Sequence, residues 1–143
     1  MPKVVVIQGA GMDQRGKVQV EIFGPETLDE INARIAADAA ECGLEIEVFQ
    51  SNDEAETTAF VERCGNGEFV AGIINPSGFT ATEGSLPDAI AKIDILFYEV
   101  HAFNPSSRDI KSTILPVCKG GVCGFGYAGY GVALRSISSA LSG

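Results

Sequence analysis

YEVHAFN, residues 98 to 104, holds the only histidine of the chain, with Glu99 two positions before His101. Residues two apart in an extended strand share a face, so the two side chains project together. A carboxylate beside an imidazole fixes its tautomer and keeps a proton available, which suits general acid–base work near neutral pH. Taken alone, the pair reads equally as a structural contact. INPSGFTAT, residues 74 to 82, is a second candidate. Asn75 ends an apolar run, and Pro76, Ser77 and Gly78 turn the backbone sharply, exposing amides and hydroxyls that can hold a small carboxylate or alcohol. An ordinary strand-to-helix turn capped by Asn75 accounts for the same letters. GFGYAG, residues 124 to 129, matches G-x-G-x-x-G. Too little chain follows it for a second strand and the acidic ribose ligand about 20 residues on, so a close-packed turn is expected there.

These candidates need strands and helices to position them. KVVVIQ (3 to 8) is a β-branched run bounded by Gly9, and LEIEVFQ (44 to 50), FVAGIIN (69 to 75), ILFYEV (95 to 100) and GVCGF (121 to 125) supply four further strands. Thr27 with Glu30 forms a capping box ahead of Leu28, Ile31 and Ile35 at helical spacing, with Gly43 ending that helix. Ser51 with Glu54 suggests a second box, opening a helix to about Cys64. Pro87 sits in the first turn of a helix over 85 to 92, and Tyr130 to Leu141 forms the last. Residues 10 to 24 keep no period and read as a loop. Strands alternating with helices predict one domain over residues 1 to 143, with a flavodoxin-like, doubly wound parallel sheet of five strands in the order 2-1-3-4-5. Sites are then expected at the carboxyl ends of the strands.

The net charge of −9 over 143 residues argues against nucleic acid and anionic membranes as partners. No apolar run approaches the roughly 18 residues of a membrane span. MPKVVVIQG enters its apolar run without the layout of a signal peptide. Cys42, Cys64, Cys118 and Cys123 form no C-x-x-C pair and read as reduced thiols of a cytoplasmic protein. One histidine and scattered cysteines give no metal-ligand cluster, and no cofactor is implied.

Together these segments resemble the type II dehydroquinases, the small flavodoxin-like 3-dehydroquinate dehydratases of the shikimate and quinate pathways. The likeness covers nearly the whole chain, through IQGAG, EIFGPETLDEI, EVFQSNDEAE, GIINPSGFTAT, SLPDAI, EVHAFNPSSR and VCKGGVCGFGYAGYGVAL. It implies a trans-dehydration through an enolate. A tyrosine phenolate, kept ionised by a lid arginine, takes a proton; a histidine protonates the departing hydroxyl; an asparagine holds an ordered water. On this resemblance His101 is the general acid and Glu99 orients it. Asn75 binds substrate, joined by the turn residues Ser77 and Gly78 singled out above, and the amides of Ala102 and Phe103 take its carboxylate. Arg108 matches an arginine of the following loop. Asp88 matches an aspartate that completes a neighbour's site, in dodecamers built from four trimers. An apolar surface that includes Phe79 would favour such assembly.

The departures fall on the chemistry. Phe23 stands at the tyrosine position and Val18 at the lid arginine, or Lys17 if the register slips by one. Gly11 replaces the first-loop asparagine, and Ala81 replaces a histidine that binds a substrate hydroxyl. Lys111 is the nearest substitute for a second arginine after Arg108. A positioned base is worth about 10²- to 10⁴-fold, so ordinary dehydroquinate turnover is expected to be weak or absent. Three hypotheses follow. The first is a lyase or hydrolase of this family with a changed small carboxylated or carbonyl substrate, with Asp13, Glu21 or Glu83 as a substitute base and Cys118 or Cys123 as conceivable nucleophiles. The second is a non-catalytic binder of small acids or an assembly protein. The third is a dehydroquinase using a substitute base.

Overall fold

The computed structural model describes residues 1–143. Its strands are β1 (Lys3–Ala10), β2 (Glu45–Gln50), β3 (Ala71–Ser77), β4 (Phe97–His101) and β5 (Gly120–Cys123), and its helices are α1 (Val20–Phe23), α2 (Leu28–Glu41), α3 (Glu54–Arg63), α4 (Leu86–Lys92) and α5 (Gly129–Ser142). All strand pairs are parallel, in the order β2-β1-β3-β4-β5. This is the doubly wound sheet that the alternation of elements predicts.

Burial on both faces explains the apolar strands. Val4, Val6 and Ile73 point to one side, where Ile31 and Ile35 of α2 and Tyr130, Leu134 and Ile137 of α5 cover them. Val5, Ile7 and Ile74 point to the other side, against Val61 of α3 and Leu86 and Ile90 of α4. Each such side chain contributes on the order of 1.5–3 kcal/mol when fully buried, so β1, with Val4, Val5, Val6 and Ile7 all fully buried, anchors both layers. Sheet order reverses between β1 and β3, and a crevice opens at their carboxyl ends. Ala10 there pairs with Ser77. Gly9 is required at this point, because a Cβ would overlap the Pro76 carbonyl.

Several local expectations change. The Thr27–Glu30 box is present in both directions, but Ser51 and Glu54 form none. Asp53 caps α3, accepting from the Ala55 amide at 2.9 Å, and Ser51 Oγ instead accepts from the Asp53 amide at 3.0 Å. The aspartate sits directly before the helix and outcompetes a serine two residues further back. Glu54 is thereby free to cross to the next unit, where its carboxylate accepts from the Leu86 amide and the Thr82 hydroxyl. Residues 10 to 24 are not plain loop: they contain a 3-10 turn at Met12–Gln14 and the four-residue α1. β3 runs on to Ser77, since pairing with β1 continues past Asn75. β4 starts at Phe97 and includes His101, while β5 starts at Gly120 and ends at Cys123. Phe79 is buried, not exposed; its ring joins the core under α4. The G-x-G-x-x-G letters form the tight turn from β5 into α5, where Gly129 packs on Val100 and Val122.

Candidate active site

A cleft of about 390 Å³ lies at the carboxyl ends of β1, β3 and β4. β1 delivers Gly11 and the lid residues beyond it, β3 delivers Asn75, Ser77 and Gly78, and β4 delivers His101, Ala102 and Phe103. Local backbone geometry shapes the middle wall. Ser77 adopts a left-handed φ of 48°, its amide donates to Asn75 Oδ1 at 3.2 Å, and the Gly78 amide donates to the Ala10 carbonyl at 2.9 Å.

His101 and Glu99 meet as their spacing predicts. His101 Nε2 lies 3.3 Å from Glu99 Oε2, close enough for an ion pair when the imidazole is protonated. The N–H is not aimed along that line and finds no hydrogen-bond acceptor, so the contact is electrostatic. Glu99 is buried and accepts from Ser112 Oγ at 2.6 Å, which fixes the carboxylate. Sequence reasoning missed Ser112, whose role depends on a loop returning to β4. On the far side of this pair, a second cavity of about 560 Å³ is lined by Glu99, His101, Lys111 and Cys123.

Asn75 lines the cleft but is partly committed. It is buried, Nδ2 donates to Tyr130 Oη at 2.9 Å, and Oδ1 takes the Ser77 amide. One N–H and one lone pair remain for a ligand. Tyr130 Oη donates in turn to Gln8 Oε1 at 2.7 Å, and Gln8 Nε2 donates to Asn32 Oδ1 at 3.2 Å. The amides of Ala102 and Phe103 donate to no acceptor of the chain, so two successive N–H groups beside His101 are open to an anion.

The lid holds the residue that sequence reasoning did not single out. Arg15 lines the cleft, with its guanidinium carbon 3.9 Å from the centroid of the Phe23 ring. One terminal nitrogen reaches Ser77 Oγ at 3.4 Å, while Nε is enclosed without a partner. Phe23 also meets Phe103 edge to face, with ring centroids 5.5 Å apart. Val18 lines the mouth and is half exposed; Lys17 lies outside the cleft. The cation that the segment after β1 brings into the cleft is thus an arginine three residues before Val18. A guanidinium followed by a phenyl ring eight residues on is the signal that was available.

The remaining candidates separate clearly. Gly11 and Arg108 line the cleft; Ala81 and Asp88 are exposed and do not, and Thr80 occupies the wall instead of Ala81. Asp13, Glu21 and Glu83 all lie outside it. Asp13 accepts weakly from Gln14 and Asn52 instead. Cys118 is also absent from the lining, and burial pushes its thiol up to about 12. Tyr130 is likewise pushed up to about 12 by burial. Tyr127 is raised by burial, an effect that the nearby Arg15 only partly offsets, and its hydroxyl is given to the Phe23 carbonyl at 2.8 Å. Neither phenol is ionised near neutral pH. The cleft lining therefore contains Arg15, His101 and Arg108 but no carboxylate, phenol or thiol.

Comparison with known proteins agrees with this architecture. Residues 2–138 match the family Dehydroquinase class II. The 3-dehydroquinate dehydratase of Pelotomaculum thermopropionicum is 39% identical over 144 residues, covering 99% of both chains. A type II dehydroquinase from Propionibacterium acnes shares the fold, with a TM-score of 0.91 at 24% identity over 97% of each chain. A 3-dehydroquinate dehydratase-like protein from Bifidobacterium longum is 29% identical, with a TM-score of 0.77 over the full length of both. Five parallel strands in the same order, a cleft at the β1–β3 switch point and a match over nearly every residue make this chain a member of the class II dehydroquinase family.

Proposed function

We propose that the chain is a lyase of this family acting on a small cyclic carboxylate, with His101 as its acid–base group and with ordinary dehydroquinate dehydration weak or absent. The observation that carries this is the cleft lining: apart from two guanidiniums, His101 is its only titratable side chain. The substrate carboxylate sits on the free amides of Ala102 and Phe103, with the spare N–H of Asn75 as a further donor. His101 gives its proton to the departing hydroxyl, with Glu99, itself fixed by Ser112, as its electrostatic partner. No second group faces it across the cleft. Proton removal and leaving-group protonation therefore fall to one imidazole, which requires both on one face of the substrate. Dehydroquinate, the substrate named for the relatives, loses the benefit of a phenolate where Phe23 stands.

The test is ultraviolet detection of 3-dehydroshikimate at high protein concentration, beside a proton NMR screen of cyclic β-hydroxy acids for loss of water. His101→Ala serves as the control in both. Water loss from one acid of the screen, abolished in His101→Ala, is the expected result. The absence of any second base equally favours a non-catalytic binder of small acids. That alternative prevails when acids bind with unchanged affinity to His101→Ala and none is turned over. Asp88, exposed on α4 and outside its own cleft, fits a role in a neighbouring copy's site; a trimer-based assembly in a cytoplasmic setting belongs to the same proposal, and sizing by light scattering checks it.

A further inference from the structure

We propose that Arg15 and Ser77 form a second anion subsite, so that the natural ligand is a small cyclic diacid rather than a monoacid. The inference rests on the carboxylate-binding reading above and deepens it. Both cleft arginines lack acidic partners, although the chain carries 19 Asp and Glu. Its ion pairs join only Lys3 to Glu47 and Glu68, and His101 to Glu99. A chain with net charge −9 repels anions at long range, yet this cleft concentrates positive charge and contains no carboxylate, which focuses a favourable local field on an anion.

Arg15 is also held ready. The Phe23 face restrains the guanidinium at 3.9 Å, as expected for a cation–π contact. Its contacts are weak, a long hydrogen bond of 3.4 Å to Ser77 Oγ and the neighbouring Tyr127 hydroxyl, neither of them anionic, and its enclosed Nε has no acceptor. A planar guanidinium with unused donors matches a carboxylate bidentately. The Ser77 hydroxyl beside it supplies a further donor. This subsite is distinct from the amide pair. Ser77 ends β3, whereas Ala102 and Phe103 follow β4, the adjacent strand, whose ladder with β3 stops at Ile74 and Glu99, so the two ends are no longer held at the paired spacing of about 4.8 Å. A six-membered ring bearing acids at positions 1 and 3 bridges neighbouring strand ends. Phe23 and Phe103, edge to face, form an apolar wall for such a ring.

Titration calorimetry with two unreactive probes at one ionic strength and pH 7 tests this: cis-cyclohexane-1,3-dicarboxylate and cyclohexanecarboxylate. The diacid is expected to bind about tenfold or more tighter, the scale of one added charged hydrogen-bonded pair. Arg15→Gln weakens both acids by removing a cleft cation but weakens the diacid more, bringing the ratio close to one. Arg15→Lys, which keeps the charge but not the fork, retains only part of the preference. Equal affinity of the two acids for the unaltered protein, or a preference that survives Arg15→Gln, overturns the diacid assignment and leaves the monoacid site standing. Failure of both acids to bind overturns the carboxylate site as well.

Discussion

At the scale of residues, the pairing of Arg15 with Phe23 decides what chemistry the cleft can support. A phenyl ring accepts no proton, but the guanidinium above it is placed to stabilise negative charge on a ring of that shape. Phe23→Tyr puts a phenol under the cation and restores a base without changing the fold of α1. We expect dehydroquinate dehydration to rise about 10²-fold, followed through 3-dehydroshikimate absorbance. Adding Arg15→Gln should remove most of that gain and move the basic pKa of the pH–rate profile upward, because the phenolate loses its cation. Gly11, where the family pattern has an amide, keeps the gain below full family activity. His101 and Glu99 were legible from their two-residue spacing, since a strand's alternation fixes side-chain direction without tertiary information. Arg15 was not. The segment after β1 has no period, and the family pattern points to Val18 or Lys17, which line the mouth or miss the cleft; only the 3-10 turn at Met12–Gln14 turns Arg15 inward.

At the scale of elements, α5 is tied to the cleft residue Asn75 through a single buried phenol. Tyr130 is fully buried, accepts from Asn75 and donates to Gln8, linking the helix to β1 and β3. Tyr130→Phe leaves both amides short of a partner, which costs about 1–3 kcal/mol. It should lower the urea midpoint and also weaken acid binding, because Asn75 loses its orientation. Thr27→Ala, on α2, should cost about 1 kcal/mol with no effect on binding. Its acid-side signature is specific. The Thr27 amide and hydroxyl hold the Glu30 carboxyl below its usual 4.5, so this contribution is present above that value and fades as pH falls below it. The gap between the urea midpoints of Thr27→Ala and the parent chain should therefore narrow only slightly in acid, because the residue-27 amide still reaches Glu30 in the variant and the lost cap bond from the Glu30 amide does not titrate. The same element shows how far local sequence carries. Thr27–Glu30 worked because both partners sit within one turn, with no competitor. Ser51–Glu54 failed because Asp53 took the cap and Glu54 had a better use across the chain, at Leu86, which no local pattern displays. Strand ends slipped for the same reason: β3 continues to Ser77 only because β1 pairs with it.

At the scale of the whole molecule, burial sets how the fold responds to alkali. Three acidic groups lie in the core or against it. Burial pushes Cys64 from its ordinary 9.0 up to about 11, Cys118 from 9.0 to about 12, and Tyr130 from 10.0 to about 12. Nearby carboxylates, Glu47 and Glu68 for Cys64 and Glu99 for Cys118, add to the rise. Between the unfolded and folded values, the folded chain keeps protons that the unfolded chain releases, so the unfolded state gains stability as pH rises. Stability should be flat through neutral pH, begin to fall near pH 9 and fall steeply towards pH 11–12. Urea titrations between pH 7 and 11 check the shape of this decline. Cys64→Ala and Cys118→Ala should flatten it while lowering stability at neutral pH, where the lost packing is felt. Iodoacetamide at pH 8 gives the independent reading: Cys64 and Cys118 should resist labelling in the folded protein and react once urea opens it, because the thiolate is the nucleophile and burial withholds it. A midpoint that rises with pH above 9, or rapid native labelling of both thiols, would mean that these groups are not enclosed as the packing of the sheet requires.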